Sequence, residues 1–260
     1  MAYETILYTV EDGIATLTLN RPEVLNAFNQ AMTDEIQDAL KKAERDEAAR
    51  CLVITGMGRA FSAGEDLKSH AGEGERDFAA SLRNRYNPII RKLRALNKPV
   101  LGAVNGVAAG AGFSLALACD LRIASDKARF LQAFVRIGLV PDSGSSWFLP
   151  QLIGYAKAAE LCMLGEEVNA QQALELGLVN KVVAHDELAA TTAEWATRLA
   201  QGPTLALGLM KRALIMGTQN TLDEVLDYEV YGQTIAGRSE DGKEGAAAFI
   251  EKRKANFKGK

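Results

Sequence analysis

The chain has 260 residues, of which 48% are hydrophobic and 24% charged, a globular composition with enough apolar side chains for a sizeable core. Thirty basic residues against thirty-three acidic ones give a net charge of -3, which argues against broad binding of nucleic acid or other polyanions. Three widely spaced cysteines (Cys51, Cys119, Cys162) and two histidines (His70, His185) supply neither a disulfide framework nor a His-rich metal site, and suit a reducing compartment. The amino-terminal MAYETILYTVEDG lacks a basic region followed by an apolar one, so the expectation is no signal peptide and a cytoplasmic protein.

Taken in order, ETILYTVED, a turn at Asp12-Gly13 and the alternating IATLTLN predict a β-hairpin. From Asn29 to about Arg45, Met32, Ile36, Ala39, Leu40 and Ala43 recur at helical spacing. CLVITG reads as a buried strand. The polar KSHAGEGERD that begins at position 68 reads as an exposed, mobile loop. Helical periodicity resumes from about Phe78 to Leu96. Residues 99–119, PVLGAVNGVAAGAGFSLALAC, are nearly uncharged and about long enough to span a bilayer, with Gly102, Gly106 and Gly110 at GxxxG spacing. Pro99, Asn105 and the lack of flanking anchors favour another division: a buried strand through Val104, a glycine-rich turn and a buried helix from about Gly112. LRIAS and ARFLQ predict two more strands.

After about Ser143 nearly every segment reads helical, near 144–163, 170–176, 186–200, 204–216, 221–236 and 241–254, with Pro150 and Gly154 breaking the first. The pattern predicts an α/β core with buried, mostly parallel strands over residues 1–200, followed by a helical region over 201–260.

Two glycine-bearing turns carry the chemistry: Phe61-Ser62-Ala63-Gly64-Glu65-Asp66 after CLVITG, and 106–112, GVAAGAG, after VLGAV. Each follows a strand and leads toward helical sequence, so each is placed to present backbone N–H groups at the carboxyl edge of a sheet. Two N–H groups from different loops are suited to the carbonyl oxygen of an acyl substrate as it gains negative charge. Neither loop has the GxGxxG or GxxxxGK[ST] pattern of a nucleotide site. Either loop alone reads no further than a tight strand–helix turn.

Together and in this order the segments are specific. NRPEVLNAF at 20–28, GRAFSAGEDL at 58–67, KPVLGAVNGVAAGAGFSLALACDLRIAS at 98–125, FLQAFVRIGLVPDSGSSWFLPQLIG at 130–154, ALELGLVNKVV at 173–183 and EGAAAFIEKRKANF at 244–257 resemble the enoyl-CoA hydratase/isomerase (crotonase) superfamily over essentially the full chain. The resemblance implies a spiral of ββα units, an acyl-CoA thioester substrate, homotrimers often paired into hexamers, and no metal or cofactor beyond the coenzyme A of the substrate. Carried over by position, the oxyanion donors are the backbone N–H groups of Glu65 and Ala111, with the Glu65 carboxylate turned away. Backbone groups at Ala63 and Asp66 hold the adenine, and Val24 and Leu25 line the coenzyme path. Phe249 and Lys252 match positions that reach a neighbouring subunit's coenzyme A, with Lys252, Arg253 and Lys254 as charge for its phosphates. On spacing alone that basic run equally reads as a solvated helix face.

The resemblance also bears on the reaction. The hydratases' two glutamates align with Ser114 and Phe134, neither of which can act as a carboxylate acid/base. Asp142 stands where the hydratases usually carry glycine. By spacing alone it reads as a helix N-cap in Pro-Asp-Ser-Gly-Ser-Ser; by resemblance it matches the carboxylate of acyl-CoA isomerases. IGLVPDSGSSWFLPQLIG is most similar to the ring-1,2-epoxyphenylacetyl-CoA isomerases of phenylacetate degradation, which also move enoyl-CoA double bonds between positions 3 and 2. The implied catalytic residue is Asp142. An enoyl-CoA hydratase with atypical acid/base residues, and a non-catalytic CoA- or RNA-binding member, stand as alternatives. Ser114 has no histidine placed to make it a nucleophile and reads as a buried packing serine; Trp147 and Phe148 read as core, and Arg83 and Tyr86 receive no role.

Overall fold

The computed structural model describes residues 3–67 and 77–260. Apart from Asp77, the polar stretch expected to be a mobile loop lies outside the described residues, as does His70.

The chain opens with β1 (Ile6–Glu11) and β2 (Ile14–Leu19), an antiparallel hairpin in register from Ile6 opposite Leu19 to Glu11 opposite Ile14. Its two-residue turn puts both Asp12 (φ 50°) and Gly13 (φ 82°) in the left-handed region, the geometry whose twist matches the flanking strands. The helix α1 (Gln30–Arg45) follows, capped by the Asn29 side chain, which accepts from the Met32 N–H at 2.9 Å. Its buried face carries the apolar positions expected from the spacing.

Three further units repeat one plan. A strand of a larger sheet, β3 (Cys51–Gly56), β5 (Val100–Val104) or β7 (Leu121–Ser125), is followed by a three-residue strand of a second sheet. These are β4 (Ala60–Ser62), β6 (Val107–Ala109) and β8 (Arg129–Leu131). Helical sequence follows each: α2 (Phe78–Ser81), a π-helical turn (Leu82–Tyr86) and α3 (Asn87–Ala95) after β4; α4 (Ala111–Ala118) after β6; α5 (Ser145–Leu164) after β8. This is the expected spiral of ββα units. The larger sheet runs β1-β2-β3-β5-β7-β10 and the smaller β4-β6-β8-β9, where β9 is Glu167–Asn169 and β10 Lys181–Val183. Among the described residues only the outer pairs β1–β2 and β8–β9 are antiparallel.

Where nearly every segment after Ser143 is expected to be helical, the two short strands β9 and β10 stand between the expected helices. Three residues are too few to show alternation. These strands exist because β8 and β7 offer backbone partners, which no local pattern records. The same holds for β4 and β6, so the glycine loops leave these short strands rather than β3 and β5 directly. Gly154 (φ 73°, ψ 159°) does interrupt α5, whereas Pro150 is accommodated inside it. The remaining helices are α6 (Ala170–Glu175), α7 (Leu188–Ala200), α8 (Thr204–Gly217), α9 (Leu222–Arg238) and α10 (Glu240–Ile250), the last ending short of the expected 254.

The main core lies between the sheets and helices α1, α3 and α4, with Phe61, Phe113, Phe130, Met32 and Leu40 fully buried. A smaller cluster packs Cys51, Val53, Leu101, Ala103 and Ile123 on the other face of the larger sheet against Leu188, Ala196 and Ala200 of α7. All eight residues of α4 are buried, which explains its apolar run without periodicity. Among the described residues no helix is long and apolar enough to cross a membrane. Helix α8 is tied to the core by Lys211, whose Nζ lies 2.8 Å from Asp120 Oδ2 and donates to Leu93 O at 2.7 Å.

Candidate active site

The parallel pairing of β4 with β6, Ala60 beside Val107 and Ser62 beside Ala108, brings the two glycine loops side by side. Where they meet, Gly64 has φ +88°, and a Cβ built on it would stand 2.7 Å from Ala109 O and 3.3 Å from Ala111 N. A side chain there would be strained by the backbone and would press on the Ala111 amide. One residue beyond Ala111, a Cβ on Gly112 would collide with the Ser62 carbonyl, so glycine lets α4 seat directly on β4. Ala111 opens α4, whose N-cap Gly110 provides no side-chain cap. The Ala111 N–H thus belongs to the first turn, where helical N–H groups have no partner within the helix and the helix end carries partial positive charge.

The segment 21–28 is laced to the first glycine loop. Leu25 (φ 56°) and Asn26 (φ 55°) are both left-handed, and the buried Asn26 side chain holds that turn. It accepts from the Arg21 N–H at 2.9 Å and donates to Met57 O at 2.9 Å and Ala60 O at 2.8 Å. Ala63 N–H donates to Leu25 O at 2.9 Å, Phe28 N–H to Gly64 O at 2.7 Å, and Asp66 N–H to Phe28 O at 3.0 Å. The Asp66 carboxylate pairs with Arg21 at 2.9 Å. The amides of Ala63 and Asp66 are thus engaged within the fold, and any adenine amine held at these two residues must be held by carbonyl oxygens.

A cavity of about 290 Å³ opens over the loops, lined by Ala63, Glu65, Gly110, Ala111, Phe134 and Asp142 among others. Four of the residues expected at the site therefore share one space. Two larger cavities, of about 570 and 410 Å³, lie between the larger sheet and α7 and beside α8. Neither contains the paired loops. Val24, Leu25 and Asp66 lie outside the lining of the 290 Å³ cavity, behind the first glycine loop.

The Glu65 carboxylate is directed to Arg85, with Oε1 3.2 Å from Nη1, both side chains largely buried. Arg85 lies on the π-helical turn and also donates to Thr33 Oγ1 and Ser81 Oγ, each at 3.3 Å. A π turn shifts the helical register by one residue and is frequent at functional sites. Nothing in the sequence pattern singled out Arg85, because a buried arginine in a basic helix reads as a surface residue.

Asp142 is not the N-cap of α5; that position is Gly144, with no side-chain cap. The turn before α5 takes two left-handed residues, Ser143 (φ 52°) and Gly144 (φ 86°), which moves the helix start past the aspartate. Asp142 Oδ1 accepts from Ser143 Oγ at 2.8 Å. Phe134, from a 3-10 turn over Ala133–Ile137, brings its ring tip within 3.8 Å of where a Cβ on Gly110 would stand and supplies apolar wall to the cavity. Ser114 is fully buried and hydrogen-bonded, as a packing serine is. His185, whose Nδ1 is 3.0 Å from Ser125 Oγ, lines the cavity beside α7, so it does not serve Ser114.

Phe249 is 85% exposed at the end of α10, and Lys252 is exposed just beyond it, with φ 54°. Neither lines the cavity of its own chain. Of the basic run, Arg253 pairs with Glu244 at 2.6 Å and with Glu251.

A family model described as Enoyl-CoA hydratase/isomerase matches residues 9–260. The chain is 48% identical, over 99% of both chains, to the 1,2-epoxyphenylacetyl-CoA isomerase of Escherichia coli (strain K12). It is 42% identical, over the whole of both chains, to a probable enoyl-CoA hydratase of Rhodobacter capsulatus. Among solved structures, a putative enoyl-CoA hydratase/isomerase from Mycobacterium abscessus superimposes with a TM-score of 0.92 at 38% identity, covering 97% of this chain and 98% of that one. Matched along nearly its whole length, with the ββα spiral and the paired glycine loops in place, the chain belongs to the enoyl-CoA hydratase/isomerase family.

Proposed function

We propose that this enzyme moves the double bond of a 3-enoyl-CoA to position 2, using Asp142 as a single proton shuttle. Asp142 removes a proton from C2 of the substrate. The electron pair passes to the thioester oxygen, and the resulting dienolate is held by the backbone N–H groups of Glu65 and Ala111. The protonated Asp142 then returns the proton at C4, leaving the double bond between C2 and C3. The observation that carries this reading is the shared cavity of Asp142, Ala111 and Glu65, with serine and phenylalanine at the two positions where hydration requires glutamates. The similarity to an epoxyphenylacetyl-CoA isomerase supports a second substrate of this site, 1,2-epoxyphenylacetyl-CoA, rearranged to its oxepin.

The same reading includes an assembly. Residues 1–200 form the acyl-CoA-binding core and 201–260 a helical region that builds a homotrimer or a dimer of trimers. Phe249 and Lys252 extend to a neighbour's coenzyme A there, a role the 85% exposure of Phe249 supports. The protein works in the cytoplasm, without a cofactor beyond the coenzyme A of its substrate and without nucleic acid.

The test is mass-resolved chromatography after incubation with a 3-enoyl-CoA. A 2-enoyl-CoA of unchanged mass, lost in Asp142→Asn, is the expected result. A product heavier by one water as the primary product overturns the reading in favour of the hydratase alternative. An inert protein that shifts RNA in a salt-dependent way overturns it in favour of a binding module.

A further inference from the structure

Beneath the cavity lies a buried polar chain that the proton shuttle does not itself use. Ser114 Oγ is 3.0 Å from Asp142 O, 3.2 Å from Gly110 O and 2.7 Å from Ser145 Oγ. Gln132 Nε2 is 3.1 Å from Ser145 Oγ. Ser114 and Ser145 are fully buried and Gln132 is 1% exposed, so bulk solvent does not reach them.

The direction of this chain follows from counting protons. The Asp142 and Gly110 carbonyls can only accept, so Ser114 must spend its one hydroxyl proton on them. The 2.7 Å contact with Ser145 then requires Ser145 to donate to Ser114. With its own proton spent, Ser145 must accept from Gln132, which sets the Gln132 amide with Nε2 facing the serine. The bonds run one way, from Gln132 through Ser145 and Ser114 to the backbone of Asp142.

That end point matters because of where Asp142 stands. It is followed by two left-handed residues and lies in neither strand nor helix. Its carbonyl accepts from Ser145 N–H at 3.0 Å within its own turn. Ser114 reaches the same carbonyl from another element, α4, whose first residue is the oxyanion donor Ala111. One rigid, wholly buried helix thereby holds both poles of the reaction: the amide that receives negative charge, and the loop that carries the carboxylate.

We infer that Ser114 is a positioning residue, whose hydroxyl clamps the Asp142 backbone and sets the reach of its carboxylate relative to the Ala111 amide. The inference rests on the reading of Asp142 as the acid/base. It also gives position 114 a reason to differ from the hydratases. A glutamate there would remove the clamp while bringing its own carboxylate, so the two arrangements are alternatives at one buried site.

The test is a double-mutant cycle with Ser114→Ala, Asp142→Asn and the pair together, following 3-enoyl-CoA isomerisation and deuterium exchange at substrate C2. Ser114→Ala is expected to lower kcat about tenfold, the scale of one lost orienting hydrogen bond, with KM within twofold of the parent. On the Asp142→Asn background the same change is expected to alter the residual rate less than twofold, because its route to catalysis is gone. Unchanged kcat in Ser114→Ala overturns the inference. So does an equal tenfold loss on the Asp142→Asn background, which would place Ser114 with the oxyanion loop or the fold. Full turnover in Asp142→Asn overturns the underlying acid/base reading, and is told apart from failure of the clamp alone, in which Asp142→Asn is inactive and Ser114→Ala is not impaired. Should Ser114→Ala not fold, Ser145→Ala removes the donor into Ser114. A kcat lowered about threefold at constant KM is then expected, and an unaltered kcat overturns the inference.

Discussion

Glu65 and Arg85 form a buried ion pair, 3.2 Å between Oε1 and Nη1, at the residue whose amide is the proposed first donor to the thioester oxygen. Arg85 is bonded in turn to Thr33 of α1. The pair therefore ties the first glycine loop to two helices, and it turns the one acidic side chain of the oxyanion pair onto a cation. An anion left beside the nascent enolate would oppose the stabilisation that the amides provide.

Removing Arg85 leaves a carboxylate buried without this partner. Arg85→Met is expected to cost about 3 kcal/mol of stability, read as a lower urea midpoint, and to lower kcat as well. Combining it with Glu65→Gln is expected to recover most of both, since the backbone donor at 65 survives the change. A double variant as damaged as Arg85→Met alone would count against this account.

Gly64→Ala tests the junction of the two loops. The added Cβ would stand 2.7 Å from Ala109 O, with φ at +88°, a conformation costing a non-glycine residue about 1–3 kcal/mol. Relief of the clash displaces Ala111 from its donor position. The expected outcome is a folded protein with kcat reduced about a hundredfold, the scale of one lost oxyanion donor. Stopped assays with 3-enoyl-CoA, alongside thermal unfolding, separate the loss of activity from the modest loss of stability.

Much of this was legible in the chain itself, and for physical reasons. The hairpin, α1 and the strands CLVITG and VLGAV announce themselves because their apolar periods and turn residues are local. The two glycine loops were legible as glycine-bearing turns, and their pairing through family resemblance. The short strands β9 and β10 were not, since each depends on a partner strand more than thirty residues away. Local spacing makes Asp142 a cap. Two left-handed residues after it move the N-cap to Gly144, and backbone handedness at serine has no signature in composition. Arg85 and the Ser114–Ser145–Gln132 chain were invisible because burial of a polar group is decided by which elements close over it.

Burial pushes the Cys51 and Cys119 thiols up to about 12, from an ordinary 9.0. A raised pKa means the folded state keeps a proton that the unfolded chain releases above pH 9. The stabilisation from each thiol is thus complete below that pH and is lost as pH rises from 9 toward 12, by about 1.4 kcal/mol per pH unit. Urea unfolding at pH 8, 9.5 and 10.5 is expected to show this decline, made shallower by Cys51→Ala at its own stability cost. An unchanged slope in that variant would remove Cys51 as a source. In the native state at pH 8 both thiols are expected to resist disulfide exchange reagents.

Phe249 poses the opposite test, of a side chain with little to do in its own chain. At 85% exposure it buries almost no apolar surface, so Phe249→Ala is expected to change the stability of an isolated chain by less than about 0.5 kcal/mol. If its partner is a neighbour's coenzyme A, the same variant raises KM for the acyl-CoA severalfold while leaving kcat nearly unchanged, because a contact remote from the reacting carbons is made equally in ground and transition states. Lys252→Ala is expected to act in the same direction, and more strongly at low salt, where an exposed charge on a phosphate is least screened. Steady-state kinetics across ionic strength, with oligomer size followed by light scattering, read both effects. A variant of unchanged size and unchanged KM would place the end of α10 outside the substrate site.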